Sequence, residues 1–117
     1  MNILIVDDNV NVRHMIKEML ADFVNEIYEC SDGLSAVEFY QKYQPDVVLM
    51  DIKMKKLNGL LATERIMRID AKAKVIIVSN YDDDFMRTET KRIGAIQYFK
   101  KEDIHKLPEY IKVISKN

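Results

Sequence analysis

The sequence predicts an α/β fold: a doubly wound five-stranded parallel sheet, strand order 2-1-3-4-5, with five helices on its two faces. Three observations carry that expectation. Short runs rich in Val and Ile, at residues 3–6, 47–50 and 75–78, show no polar alternation, which marks strands buried on both faces. Strand-like and helix-like runs alternate along the whole chain, and parallel neighbours need such crossovers. The length of 117 residues gives room for one domain, and no repeat, linker or low-complexity stretch divides it. A single domain over residues 1–117 is therefore expected.

The elements follow in order. After the first strand, Val12, Ile16, Met19, Leu20 and Phe23 recur at helical spacing on one face, with Asn9 or Asn11 as cap. Residues 26–30 read as a second, less apolar strand and so belong at a sheet edge. Ser31, Asp32 and Gly33 turn the chain into a helix carrying Leu34, Val37 and Tyr40, which Pro45 stops. The third strand ends at Asp51, and Asn58 and Gly59 open a helix with Ala62, Ile66 and Ile69 on one side. The fourth strand ends at Ser79. Residues 82–93 follow as a helix with few apolar anchors, chiefly Phe85, Met86 and Ile93, and Gly94 ends it. A short fifth strand around residues 96–99 leads to Lys101. The last helix turns Ile104, Leu107, Ile111 and Ile114 inward and tolerates Pro108 in its first turn.

Composition narrows the partners. Lys and Arg number 18 against 19 Asp and Glu, a formal charge of -1, so no global field draws the chain to nucleic acid or an anionic membrane. Its single cysteine, Cys30, forms no internal disulfide and reads as a buried structural thiol in a reducing compartment. No apolar run approaches the roughly 20 residues of a membrane span, and the start lacks the pattern of a signal peptide. A cytoplasmic protein that binds neither membrane nor nucleic acid directly is expected.

Chemistry gathers at the strand ends. In an open parallel sheet ligands bind beyond the carboxyl ends, where the strand order reverses, and that crevice is flanked by Asp7, Asp8 and Asp51. Two like charges about 4 Å apart cost on the order of 4 kcal/mol at an effective dielectric near 20, so a proton or a cation must neutralise the cluster. Mg²⁺ suits oxygen ligands and pairs one or two carboxylates with phosphate oxygens, which points to phosphate chemistry. Asp51 is then the nucleophile, Asp8 binds the metal, Asp7 orients Lys101 or a water on the metal, and the Lys53 carbonyl adds a ligand. Ser79 and Lys101 hold the transferred phosphoryl oxygens.

These residues resemble those of a receiver domain of a two-component response regulator, in the CheY-like superfamily. The matching stretches are ILIVDD at residues 3–8, DVVLMD at 46–51 continuing through Met54 to Asn58 and Gly59, VIIVS at 75–79, and Gly94 and Ala95 through Tyr98 to Lys101. The resemblance implies a flavodoxin-like fold, Mg²⁺, and phosphorylation of Asp51 by a phosphohistidine on a sensor histidine kinase or histidine phosphotransfer protein. It implies switching through Ser79 and Tyr98, and an effector, a linked output domain or a phosphorylation-dependent homodimer as the receiver of the signal. Catalysis is then limited to self-modification, so the chain is not an enzyme in the ordinary sense. Glu102 stands where the family has proline after its lysine, as in receivers of LuxR-type regulators, and a trans bond is expected there. Lys55 and Asn80 are further departures. Because the sequence ends at Asn117, soon after the last helix, no output domain is expected within it.

Other readings compete. A small Mg²⁺-dependent phosphohydrolase of the haloacid-dehalogenase kind also uses a strand-end Asp, but its second Asp lies two residues after the first, where this chain has Asn9. His14 and His105 read as solvent-facing. The run at residues 82–84 reads as a helix start rather than a metal cluster. Met15 and Met67 are surplus apolar residues that can mark partner surfaces, and Tyr81 and Lys53 occupy positions that in the family influence phosphoryl lifetime.

Overall fold

The structure, a computed structural model, describes residues 1–81 and 83–116. The strands are β1 (Asn2–Val6), β2 (Glu26–Cys30), β3 (Val47–Met50), β4 (Val75–Ser79) and β5 (Gln97–Lys100). The helices are α1 (Val10–Leu20), α2 (Gly33–Tyr43), α3 (Gly59–Ile69), α4 (Asp84–Arg92) and α5 (Leu107–Ser115), the last preceded by a 3-10 turn over Lys101–Lys106. All strand pairs are parallel and the order is β2-β1-β3-β4-β5, as the sequence predicts.

Two apolar layers hold the sheet. Alternate residues Leu4, Val6, Val48, Met50, Val75 and Ile77 pack with Ala36, Val37, Tyr40, Ala62 and Ile66 of α2 and α3. The intervening residues Ile3, Ile5, Val47, Leu49, Ile76 and Val78 pack with Ile16 and Leu20 of α1 and Leu107 and Ile111 of α5. Both sets exist because strand side chains alternate between faces and both faces are covered. Caps fix where the helices begin: Asn9, Asp32, Asn58 and Asp83 each accept a main-chain N–H of the first turn. Before Pro45, Gln44 closes α2 in the left-handed region at φ 45°.

Several expectations are corrected. Phe85 is not an anchor of α4 but 67% exposed, and the buried residue of that helix is Thr90. Met86 and Thr90 lie four apart and set the inward face, which leaves Phe85 about 100° away. Leu34 and Ile69 are exposed as well. In α2 the inward positions belong to Gly33, Ala36, Val37 and Tyr40. Phe23 lies beyond the end of α1, in a turn where its N–H reaches the Leu20 carbonyl. Met67 is not surface surplus; it packs on the core beside Gly94, whose φ of +109° needs glycine. The expected helix start at Asp82 and the chain end at Asn117 lie outside the described residues. No described peptide bond is cis, which fits the trans Lys101–Glu102 link. Among the described residues no helix is long and apolar enough to cross a membrane.

Candidate functional site

Strand register assembles the site. Val6 pairs with Met50 across β1 and β3, so Asp7 and Asp51, the next residue on each strand, leave the sheet side by side. Their backbones stay tied to the sheet: Asp51 N–H donates to the Val6 carbonyl at 2.9 Å and Asp7 N–H to the Cys30 carbonyl at 3.1 Å. One carboxylate oxygen from each of Asp7, Asp8 and Asp51 lies within 4.8 Å of the other two. Lys101 comes in from the end of β5, with its Nζ 2.9 Å from Asp7 Oδ2 and 3.4 Å from Asp51 Oδ2. The remaining oxygens Asp7 Oδ1 and Asp51 Oδ1 accept the Asn9 and Ile52 N–H groups, each at 2.9 Å.

The electrostatics follow from burial. Asp7 is 2% and Asp51 6% exposed, whereas Asp8 faces solvent. Burial first, and then the charge of Asp7, push the Asp51 carboxyl up to about 6, although Lys101 and the Ile52 N–H pull the other way. Burial works against the Lys101 ammonium, but its bond to Asp7 and the charges of Asp51 and Asp7 outweigh it and raise its pKa. Three carboxylates against one ammonium make an oxygen-rich, anionic donor set with one member open to water. That chemistry fits a hard divalent cation that keeps some of its waters. A cleft of about 260 Å³ reaches it between Asp8 and Asn9 on one side and Asn80 and Tyr81 on the other. A larger cavity of about 570 Å³ opens at the opposite end of the strands, beside Met1, Pro45 and Lys74, away from these groups.

Ser79, fully buried at the end of β4, accepts the Tyr81 N–H on its Oγ at 3.1 Å. The Tyr98 hydroxyl donates to the carbonyl of the same Tyr81 at 2.5 Å, so the two are linked through one residue's main chain. The Arg87 guanidinium stands 4.6 Å from the centroid of the buried Tyr98 ring. Lys53 does not send its side chain among the carboxylates; its ammonium lies 5.0 Å from the centroid of the Tyr81 ring, at the rim. Asp7, Asp8, Asp51 and Lys101 thus meet, while Ser79, Tyr98 and Lys53 surround Tyr81.

Two supports of the site carry no clear mark in the sequence. Gly59 closes the loop after Asp51: its N–H reaches the Ile52 carbonyl at 2.7 Å, and a Cβ there would lie 1.8 Å from the Asp51 carbonyl oxygen. Arg13 donates from Nη1 to the Asp7 carbonyl at 2.7 Å. Its place one turn into the helix after an acidic strand end is the available signal, but spacing alone does not distinguish it from a solvated arginine.

A parallel sheet covered on both faces, with this acid and lysine cluster at its carboxyl edge, is the arrangement expected of a signalling receiver module. The family model for the response regulator receiver domain matches residues 3–112, and the chain belongs to that family of two-component signalling proteins. The transcriptional regulatory protein DegU of Brevibacillus brevis is 38% identical over 97% of this chain, which spans about half, 49%, of DegU. The chemotaxis protein CheY of Thermotoga maritima is 38% identical over 85% of this chain and 83% of its own length. Sporulation initiation phosphotransferase F of Bacillus subtilis is 32% identical over 94% of the chain and 90% of its own length. Among solved structures, a chain of the Borrelia burgdorferi CheX-CheY-BeF3-Mg²⁺ complex superposes with a TM-score of 0.92 at 28% identity, covering 98% of this chain and 89% of that one. A LuxR-family response regulator from Aurantimonas sp. gives 0.88 at 26% identity, covering 97% and 83%. Family membership sets the hydrolase reading aside.

Proposed function

We propose that this domain, residues 1–117 as one receiver, takes a phosphoryl group onto Asp51 from the phosphohistidine of a sensor histidine kinase or a histidine phosphotransfer protein. An Asp51 carboxylate oxygen forms the new P–O bond as the P–N bond of the donor breaks, and the electron pair leaves on the imidazole nitrogen. Lys101, 3.4 Å from the Asp51 carboxylate, favours its ionised form against burial and balances charge that arrives with the phosphoryl oxygens. The Ser79 hydroxyl accepts from Tyr81, which leaves its own proton free to donate to a phosphoryl oxygen. Asp7, Asp8 and Asp51, with the Lys53 main-chain carbonyl, are the groups to hold Mg²⁺. When bound, Mg²⁺ neutralises the carboxylates and screens the incoming group. The Mg²⁺ and BeF3 in the Borrelia CheX-CheY complex and the phosphotransferase name of the Bacillus relative support this reading.

Switching uses the hydrogen bonds around Tyr81. A phosphoryl group adds about -1.5 to -2 charge and three acceptors, which draw Ser79 toward Asp51. Any shift of Ser79 pulls on the Tyr81 N–H, and the Tyr98 hydroxyl rests on the carbonyl of the same residue, one peptide further along. Helix α4, with Thr90 as its only buried residue among those described, is the element least held against rearrangement. The readout is a downstream effector, a covalently linked output domain or a phosphorylation-dependent homodimer. The protein acts in the cytoplasm and catalyses only its own phosphorylation and dephosphorylation.

The observation that carries the proposal is the meeting of three carboxylates with the Lys101 ammonium at one edge. Intact-mass spectrometry after incubation with acetyl phosphate and Mg²⁺ tests it. One added phosphoryl group is expected, lost on adding EDTA beforehand and absent in Asp51→Asn. A phosphoryl group that persists on Asp51→Asn defeats the assignment.

A further inference from the structure

Within α1, Glu18 faces solvent and the half-exposed Lys17 reaches Glu29 Oε2 at 3.8 Å, whereas the Arg13 side chain is only 16% exposed and turns toward the sheet. Its Nη1 donates to the Asp7 carbonyl at 2.7 Å and its Nε to Glu29 Oε1 at 3.0 Å. Glu29 sits on β2 next to Cys30, whose carbonyl accepts the Asp7 N–H. The guanidinium is therefore a bracket between α1, the end of β1 and the edge strand. Each polar atom of Asp7 is engaged: N–H by Cys30, carbonyl by Arg13, Oδ1 by Asn9 and Oδ2 by Lys101.

The carbonyl that Arg13 holds belongs to the peptide joining Asp7 to Asp8. Asp8 is exposed, and among the described residues no side chain holds its carboxylate. The angle at which Asp8 faces Asp7 and Asp51 thus depends on that peptide plane. We propose that Arg13 is a positioning residue of the cation site: by pinning the Asp7–Asp8 peptide from its carbonyl side, it aims the Asp8 carboxylate at the site. The inference rests on reading the three carboxylates as a cation site and adds the group that orients its most mobile member. Groups that orient metal ligands without touching the metal typically contribute about ten- to a hundredfold in affinity.

Charge and geometry act in opposite directions here, which makes the idea testable. Arg13 is a positive charge near a cation, so on Coulombic grounds alone its removal tightens binding. Loss of the bracket weakens it. Binding isotherms of Mg²⁺ alone to the full chain, read from backbone amide chemical shifts, separate the two. Arg13→Ala is expected to bind Mg²⁺ about tenfold more weakly than the wild type, with folding checked by thermal unfolding without Mg²⁺. Arg13→Lys keeps the charge but has one ammonium for two partners, so its affinity should fall between the two. If the alanine variant does not fold, the lysine variant decides, because its unchanged charge leaves geometry as the cause of weaker binding. Unchanged or tighter binding in the folded variants overturns the proposal while leaving the cation site intact. A wild type that shows no Mg²⁺-dependent shifts at Asp7, Asp8 and Asp51 removes both.

Discussion

Asp51 is a carboxylate kept nearly out of water beside a second buried acid, and its folded-state pKa is raised from an ordinary 3.8 to about 6. Between those values the metal-free folded state binds more protons than the unfolded chain, so this residue's contribution to stability falls as pH rises through roughly 4 to 6. At neutral pH the ionised side chain therefore destabilises the metal-free fold. Asp51→Asn, which keeps the shape and removes the charge, is expected to be more stable than the wild type at pH 7 in EDTA, by on the order of 2 kcal/mol. The gap should close toward pH 4. Denaturant unfolding of both proteins across this range checks it, and a gap that widens on acidification means that Asp51 is not the strained group. Comparing the two proteins cancels Asp32 and Asp70. Their carboxyls are held low, chiefly by backbone hydrogen bonds from Ser35 and Lys72, and so act with the opposite sign.

At the scale of elements, the loop between β3 and α3 is shaped by a glycine as much as by Asp51. A Cβ on Gly59 would sit 1.8 Å from the Asp51 carbonyl oxygen and 2.9 Å from the Ile52 Cα, and these are backbone atoms that a rotamer change cannot move aside. Gly59→Ala is expected to cost about 2–3 kcal/mol of stability, at the high end for overpacking, and to slow acetyl-phosphate labelling by displacing Asp51. Chemical denaturation and labelling rates measured together check both parts; loss of stability without any change in labelling separates the glycine from the site. In the sequence, Asn58 and Gly59 were legible as a helix start, because a capping Asn has a local signature. The contact between Gly59 and Asp51 was not, since it depends on where a loop folds back. The same limit explains Phe85. The few apolar residues of α4 did not fix the helix phase, and a buried threonine bonded to its own helix at the Arg87 carbonyl took the inward position.

For the whole molecule, the strands were legible because unbroken apolar runs have few alternatives to a covered parallel sheet, and strand order then decides which residues share an edge. Asp7, Asp8, Asp51 and Lys101 could be brought together by that reasoning alone, although they span three strand ends. The cross-connections could not: Arg13 to the Asp7 carbonyl, and Tyr98 to the carbonyl of Tyr81, join side chains to main-chain atoms that carry no sequence mark. This architecture ties the site to global stability, because the acids follow directly on the ends of strands of the buried sheet. A cation that binds only the folded state stabilises it by about 1.4 kcal/mol when present at ten times its dissociation constant. For a domain of this size that corresponds to a rise of about 5 °C in the unfolding midpoint. Mg²⁺ should raise the midpoint of the wild type by about that much at neutral pH. The rise should shrink near pH 5, where Asp51 with a pKa of about 6 is largely protonated and competes with the cation. Asp8→Ala should lose most of the Mg²⁺-dependent rise, because the exposed member of the donor set is gone. Differential scanning calorimetry with and without Mg²⁺ reads all three, and an equal rise in the wild type and Asp8→Ala would place the cation elsewhere on the molecule.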